Sequence, residues 1–206
     1  TQNSTPSSSA QKETASSSGV SAITIADDNL YARLKGRIIL KVESKGEAYY
    51  IHPQKMYMYY LGRPSDAFEV MRGKGIGITN FNLSKIAVGL SNLSGVDSDG
   101  DGLPNSFEDA IGSDKTKSDT DGDGHNDKVE LGGGYSPLAK NTELPLDSNF
   151  AASQKGKIFL QIEGKGEAWY VNPADGKRYF LGRPEDAFSV MRKLGLGVSN
   201  GDFNSL

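Results

Sequence analysis

The chain has 206 residues, 36% of them hydrophobic and 24% charged, with a formal net charge of -3 and no cysteine. Disulfides, thiolate metal sites and cysteine nucleophiles are excluded, and no apolar run approaches the roughly 20 residues of a membrane-spanning helix. The acidic balance also argues against nucleic acid as a partner, because phosphate backbones are held by clustered Lys and Arg.

Residues 1–29 read as an N-terminal tail. Its first part is dominated by Ser and Thr (among them Thr1, Ser4, Thr5, Ser7, Ser8 and Ser9), a composition that buries too little apolar surface to fold and suits a glycan-bearing stalk. Asn3, Asn82 and Asn92 each open an Asn-x-Ser/Thr sequon. Residues 20–26 form a short strand-like run, expected to add to an open sheet edge of a neighbouring subunit. A start at Thr1 suits removal of a signal peptide, so an extracellular or cell-surface location is expected.

Residues 30–90 hold the first of two copies of one module. Segments 35–80 and 155–200 align without a gap at an offset of 120, with 25 of 46 positions identical. In the first copy, 37–43, 48–52 and 57–61 alternate as short strands; 157–163, 168–172 and 177–181 repeat them. Asp175-Gly176 suits a turn with positive φ. Pro64 and Pro184, followed by Asp66 and by Glu185 and Asp186, open a helix in each copy. Gly75 and Gly195 are expected to end these helices in the left-handed conformation. The predicted fold class is α+β: two copies of a three-stranded antiparallel meander plus helix. A unit of about 45–50 residues is marginal on its own.

Residues 91–135 carry the most specific signal. Segment 97–130 holds eleven acids against Lys115, Lys117 and Lys128, a net charge of -8, which leaves +5 for the rest of the chain. Such a block repels itself without counter-ions. Two twelve-residue loops share one pattern: Asp97, Asp99, Asp101, Leu103, Asn105 and Glu108, then Asp119, Asp121, Asp123, His125, Asp127 and Glu130, at positions 1, 3, 5, 7, 9 and 12. Calcium takes six to eight oxygens at about 2.3–2.6 Å, and alternate carboxylates converge when the chain wraps the ion. Glycine at position 6 (Gly102, Gly124) permits the bend, position 7 offers its carbonyl, and position 9 binds directly or through water. Glu at position 12 closes the site with both oxygens. Two structural calcium ions are therefore expected, with short helices after each loop, at 106–111 and 128–131.

Over about 97–135 the chain resembles the thrombospondin type-3 calcium repeats of secreted bacterial proteins, with EF-hand-like loops. That resemblance implies structural ions rather than signalling ones. With its ions, the segment is expected to act as a stiff strut between the two modules. The flanking module is similar to a Trp- and Tyr-bearing repeat of bacterial surface proteins, from which no activity carries over.

Residues 136–153 read as a linker and 154–206 as the second copy. Strand alternation sets Tyr49 and Trp169 on the face opposite Tyr50 and Tyr170. The aromatics read first as core of a small sheet; one set faces the helix, and the alternative for the outward set is contact with glycan or a neighbouring subunit. His52 is Asn172 in the second copy, and His125 sits where its backbone is wanted, so no catalytic constellation is found and no enzyme is expected. The expected role is an extracellular calcium-stabilised structural protein, a self-assembling filament subunit joined head to tail to copies of itself by strand addition. The alternative is a glycan- or cell-wall-binding adhesion module of a larger secreted protein.

Overall fold

Both copies open on the same device. Asp27 accepts from the Leu30 amide and caps α1 (Asp28–Leu34); Asp147 accepts from the Phe150 amide and caps α6 (Ser148–Gln154). The duplication thus reaches back beyond Lys35 at the same offset. The computed structural model describes residues 21–91 and 93–206. The stalk 1–19, Val20 and the sequons at Asn3 and Asn92 lie outside the described residues. Among those described, the fold is mixed α+β, with two sheets and eight helices.

In the first copy β2 (Ile38–Lys41), β3 (Ala48–Ile51) and β4 (Tyr57–Tyr60) pair in antiparallel order. In the second, β6 (Ile158–Gln161), β7 (Ala168–Val171) and β8 (Arg178–Phe180) do the same. Alternation splits each sheet into two faces. Ile38, Tyr50 and Tyr59, with Ile158, Tyr170 and Tyr179, share one core with the two long helices, α2 (Pro64–Lys74) and α7 (Pro184–Leu194). Each helix starts at its proline and buries an i, i+3, i+4 stripe: Ala67, Val70 and Met71, or Ala187, Val190 and Met191.

The two copies are not separate. After α2, β5 (Ile76–Ile78) crosses to pair in parallel with β6; after α7, β9 (Leu196–Val198) crosses to pair in parallel with β2. Each copy completes the other's sheet. Gly75 and Gly195 serve this crossing, and the expectation of left-handed caps is corrected. Their φ values are -67° and -65°, both extended. A Cβ on Gly75 would sit 2.6 Å from Leu160 Cγ, and one on Gly195 2.7 Å from Leu40 Cγ. The missing side chain lets each helix end press against the opposite sheet.

A second close approach marks the centre of the pair. Gly36 and Gly156 have φ of +76° and +79°, and a Cβ on either would lie 2.6 Å or 2.4 Å from the other's Cα. Tyr50 Oη donates to Gly156 O and Tyr170 Oη donates to Gly36 O, each at 2.8 Å. Burial raises both phenols above their ordinary pKa, so they act as donors throughout the usual pH range.

The run expected as a donor to a neighbour lies on its own chain. β1 (Ala22–Thr24) pairs antiparallel with β4, because Ile25 beside it is buried in the core over that sheet. Short helices α3 (Asn80–Ser84) and α8 (Asn200–Asn204), capped by Thr79 and Ser199, follow β5 and β9.

The acidic segment is likewise not the strut expected between separated modules. Its helices, α4 (Asn105–Ile111) and α5 (Asp127–Gly133), lie on the outer face of the second sheet. Leu103, Phe107, Ala110 and Leu131 pack there with Phe159, Trp169, Val171 and Phe180. Phe107 meets Trp169 and Phe180 edge-on, with ring centroids 5.6 Å and 5.5 Å apart. A loop motif carrying four apolar side chains on one side must bury them, and the exposed face of a half-covered sheet is the nearest partner.

Candidate metal centre

Each loop is shaped by its own aspartates. Asp97 Oδ1 accepts from the Gly100 amide at 2.8 Å and Oδ2 from that of Gly102 at 2.9 Å. Asp119 does the same with Gly122 and Gly124, at 2.8 Å and 2.9 Å. Asp99 and Asp101 each spend one oxygen on the amide two residues on, as do Asp121 and Asp123. These Asx turns hold three carboxylates in each loop with oxygens within 4.8 Å of one another: Asp97, Asp99 and Asp101, then Asp119, Asp121 and Asp123.

The turns leave oxygens over. Asp99 Oδ2, Asp101 Oδ2 and Asp121 Oδ2 are buried without a hydrogen-bond partner, and so are both carboxylate oxygens of Glu108 and of Glu130. Glu108 is 0% exposed and Glu130 4%. Burial raises the Glu108 pKa to about 7, helped by the charges of Asp99, Asp101, Asp127 and Asp97. Glu130 is raised to about 7 for the same reason, with Asp121, Asp123, Asp127 and Asp119 as neighbours. Buried carboxyl groups facing other carboxylates, with no proton donor, are strongly destabilising unless a cation joins them. This donor set fits a hard divalent ion: the residues that would hold it are the aspartates at positions 1, 3 and 5 and the glutamate at position 12.

The remaining expected ligands lie at positions 9 and 7. Asn105 and Asp127, at position 9, close their loops onto position 2. Ser98 N donates to Asn105 Oδ1 at 3.0 Å; Thr120 N and Oγ1 donate to the two Asp127 oxygens at 2.8 Å and 2.7 Å. At position 7, where only the backbone carbonyl was expected to serve, the Leu103 side chain is buried in the apolar cluster and His125 is exposed. Two features escaped the sequence reading. Gly100 and Gly122 at position 4 adopt φ of +77° and +73°, beside +91° and +96° at Gly102 and Gly124. Ser98 and Thr120 are the partners of position 9. Both were visible as matches between the two loops, at positions that the ion itself does not claim.

The loops also touch. Lys128 Nζ donates to Gly102 O at 2.9 Å and Asn126 Nδ2 to Asp101 O at 3.4 Å, so the start of α5 lies across the first loop. Asp127 consequently acts on the titration of both Glu108 and Glu130.

Paired oxygen-rich loops with exiting helices define a calcium-repeat segment. Residues 97–114 and 119–132 match the family model of the bacterial TSP3 repeat, which makes these two stretches thrombospondin type-3-like calcium-binding repeats. Repeats of this kind are typical of extracellular proteins, and no helix among the described residues is long and apolar enough to cross a membrane. No curated protein and no solved structure matches the chain.

The set on the face away from the long helix is that of Trp169 and Tyr49. Trp169 is core, 0% exposed beneath Phe107. Tyr49 packs on Tyr60 and Phe203 at 5.2 Å and 4.6 Å. His52 Nδ1 accepts from the amides of Gln54 and Lys55 and serves a turn.

Proposed function

We propose that the chain is an extracellular structural protein in which two calcium ions lock the acidic segment over the second sheet. The observation that supports this best is the pair of buried glutamates, Glu108 and Glu130, whose four oxygens have no partner. Each lies early in a helix whose apolar side covers Trp169 or its neighbours. Ions that bind the folded loops alone stabilise by about 2.7 kcal/mol per site at a hundredfold excess over Kd. Two ions would also halve the segment's charge of -8.

The finer part of the proposal is self-assembly into a head-to-tail filament. Its support is the exchange of β5 and β9. The same clasp made between the first copy of one chain and the second copy of the next is heterologous and does not close on itself, so it propagates. Secretion after removal of a signal peptide and glycans on the Ser/Thr stalk belong to the same reading. Light scattering and electron microscopy in calcium, then in chelator, test it. Polymers are expected in calcium. A monomer in both conditions removes the filament while leaving the calcium role, which thermal shift reads separately. Absence of any calcium-dependent rise in melting temperature removes both. The second reading, a binding module of a larger adhesive protein, is favoured by a cavity beside Trp169.

A further inference from the structure

The second sheet contains a buried cation that its fold does not require. Arg178 on β8 is 5% exposed, its Nε has no hydrogen-bond partner, and no ion pair among the described residues includes it. Burial alone lowers its pKa to about 9. The guanidinium lies 4.9 Å from the Trp169 ring centroid, which offsets part of the cost of burial but supplies no counter-charge. At the equivalent place in the first copy stands Met58, buried and apolar. The scaffold thus accepts a methionine at this strand position, and the second copy alone carries a charge there.

Arg178 lines a cavity of about 400 Å³ between α3, α4, α5 and segment 136–145. That volume lies in the range of small-molecule sites. Leu83, Leu131 and Leu144 give it an apolar wall. Gln161 also lines it, but its amide is engaged. Nε2 donates to Asn80 Oδ1 and to Ala110 O, and Oε1 accepts from Trp169 Nε1 at 2.6 Å. Arg178 is therefore the cation among the cavity's described lining residues, and Glu143 is its acid, at the exposed mouth. One guanidinium facing an apolar wall, with a carboxylate at the entrance, disfavours a phosphate dianion and matches one planar carboxylate.

We propose that this cavity binds a single carboxylate carried on an apolar body, with the carboxylate paired to Arg178 and the body packed on the leucines. A peptide C-terminus and a free aliphatic acid share this chemistry. Trp169 is the chain's sole tryptophan and lines the cavity, so its fluorescence reports occupancy. The full chain in calcium is titrated with N-acetyl-leucine, hexanoate, their neutral counterparts N-acetyl-leucinamide and hexanol, and inorganic phosphate. Saturable binding of at least one acid, about tenfold or more tighter than its neutral counterpart, is expected. Preference for N-acetyl-leucine assigns a peptide terminus, and preference for hexanoate assigns an aliphatic acid. Arg178→Met, which installs the residue of the first copy, should lose the acid about tenfold or more while keeping the circular dichroism spectrum and the calcium response. Arg178→Lys, the variant to rely on if the methionine misfolds, should bind more weakly than the native chain because a bidentate pair is lost. The proposal is overturned if neither acid saturates by about 10 mM, if neutral analogues bind equally, if phosphate binds tighter than both acids, or if folded Arg178 variants bind as the native chain does.

Discussion

The two sheets descend from one pattern, yet their outer faces are closed by different means. On the first, Ile39, Ile51 and Met58 lie under Ile25, Leu34, Val198 and Leu206, all from segments adjacent to the sheet strands or from the exchanged end of the other copy. On the second, Phe159, Trp169, Val171 and Phe180 lie under the acidic segment. At the shared offset Tyr49 becomes Trp169, Tyr60 becomes Phe180 and Ile39 becomes Phe159, so the second face carries more aromatic surface, while Met58 gives way to Arg178. The lesson is that a duplicated scaffold need not duplicate its energetics. Both faces are closed by hydrophobic burial, but the segment that covers the second also carries a net charge of -8 that opposes its closure.

Chelation should separate the two faces most strongly. Removing both ions at a hundredfold excess over Kd is expected to cost about 5 kcal/mol in all. Hydrogen exchange should then rise in β7, β8 and α4 before it rises in β2 and β3; equal rises would erase the distinction. A matched pair of truncations comes next. Phe107→Ala is expected to cost about 3–5 kcal/mol, since Phe107 is fully buried between two aromatic rings, whereas the partly exposed Phe203, at the corresponding task on the first face, should cost about 1–2 kcal/mol on truncation. Urea denaturation in calcium measures both. Gly36→Ala, which strains a positive φ and meets backbone of the other copy, should cost about 2–3 kcal/mol whether or not calcium is present, because the central contact serves both sheets.

Acid titration carries a sign. Glu108 and Glu130 have pKa values raised to about 7, above the carboxylate range of an unfolded chain. Without ions, their protonation favours the folded state, so stability should rise as pH falls from 8 toward 5. In calcium the direction reverses, because protons compete for the same oxygens and the ion-derived stability declines below about pH 7. Thermal melts at pH 8 and pH 6, with calcium and with chelator, should therefore cross in trend. Glu108→Gln should flatten the ion-free trend and weaken calcium binding together.

Much of this was legible in the residues, and the exceptions have physical causes. Strand alternation located six of the nine strands among the described residues, and proline with acids located α2 and α7. The oxygen spacing located both loops, because ligand geometry tolerates little variation. The exchange of β5 and β9 was hidden: Ile76-Gly77-Ile78 is long enough to be a strand but carries no mark of which sheet it joins. Gly75 was misread because glycine serves close approach as well as positive φ, and the neighbour that demands it, Leu160, is remote in sequence. The packing of the acidic segment was obscured for a similar reason. Leu103 and Phe107 occupy positions inside a metal-loop motif, where attention falls on oxygen, while their partners lie some sixty residues further on. At position 9 the motif alone did not reveal that a Ser or Thr at position 2 competes for the same side chain.

The exchanged strands also govern when the molecule can be finished. Ile39 pairs with Leu196, so the first sheet waits for a partner synthesised 157 positions later, after the acidic segment and nearly all of the second copy. A chain emerging in order therefore holds its earliest strands incomplete until its latest ones arrive. Contacts of such long range are slow to form. A polypeptide delayed in this way gains its full architecture only once its last strand has been made.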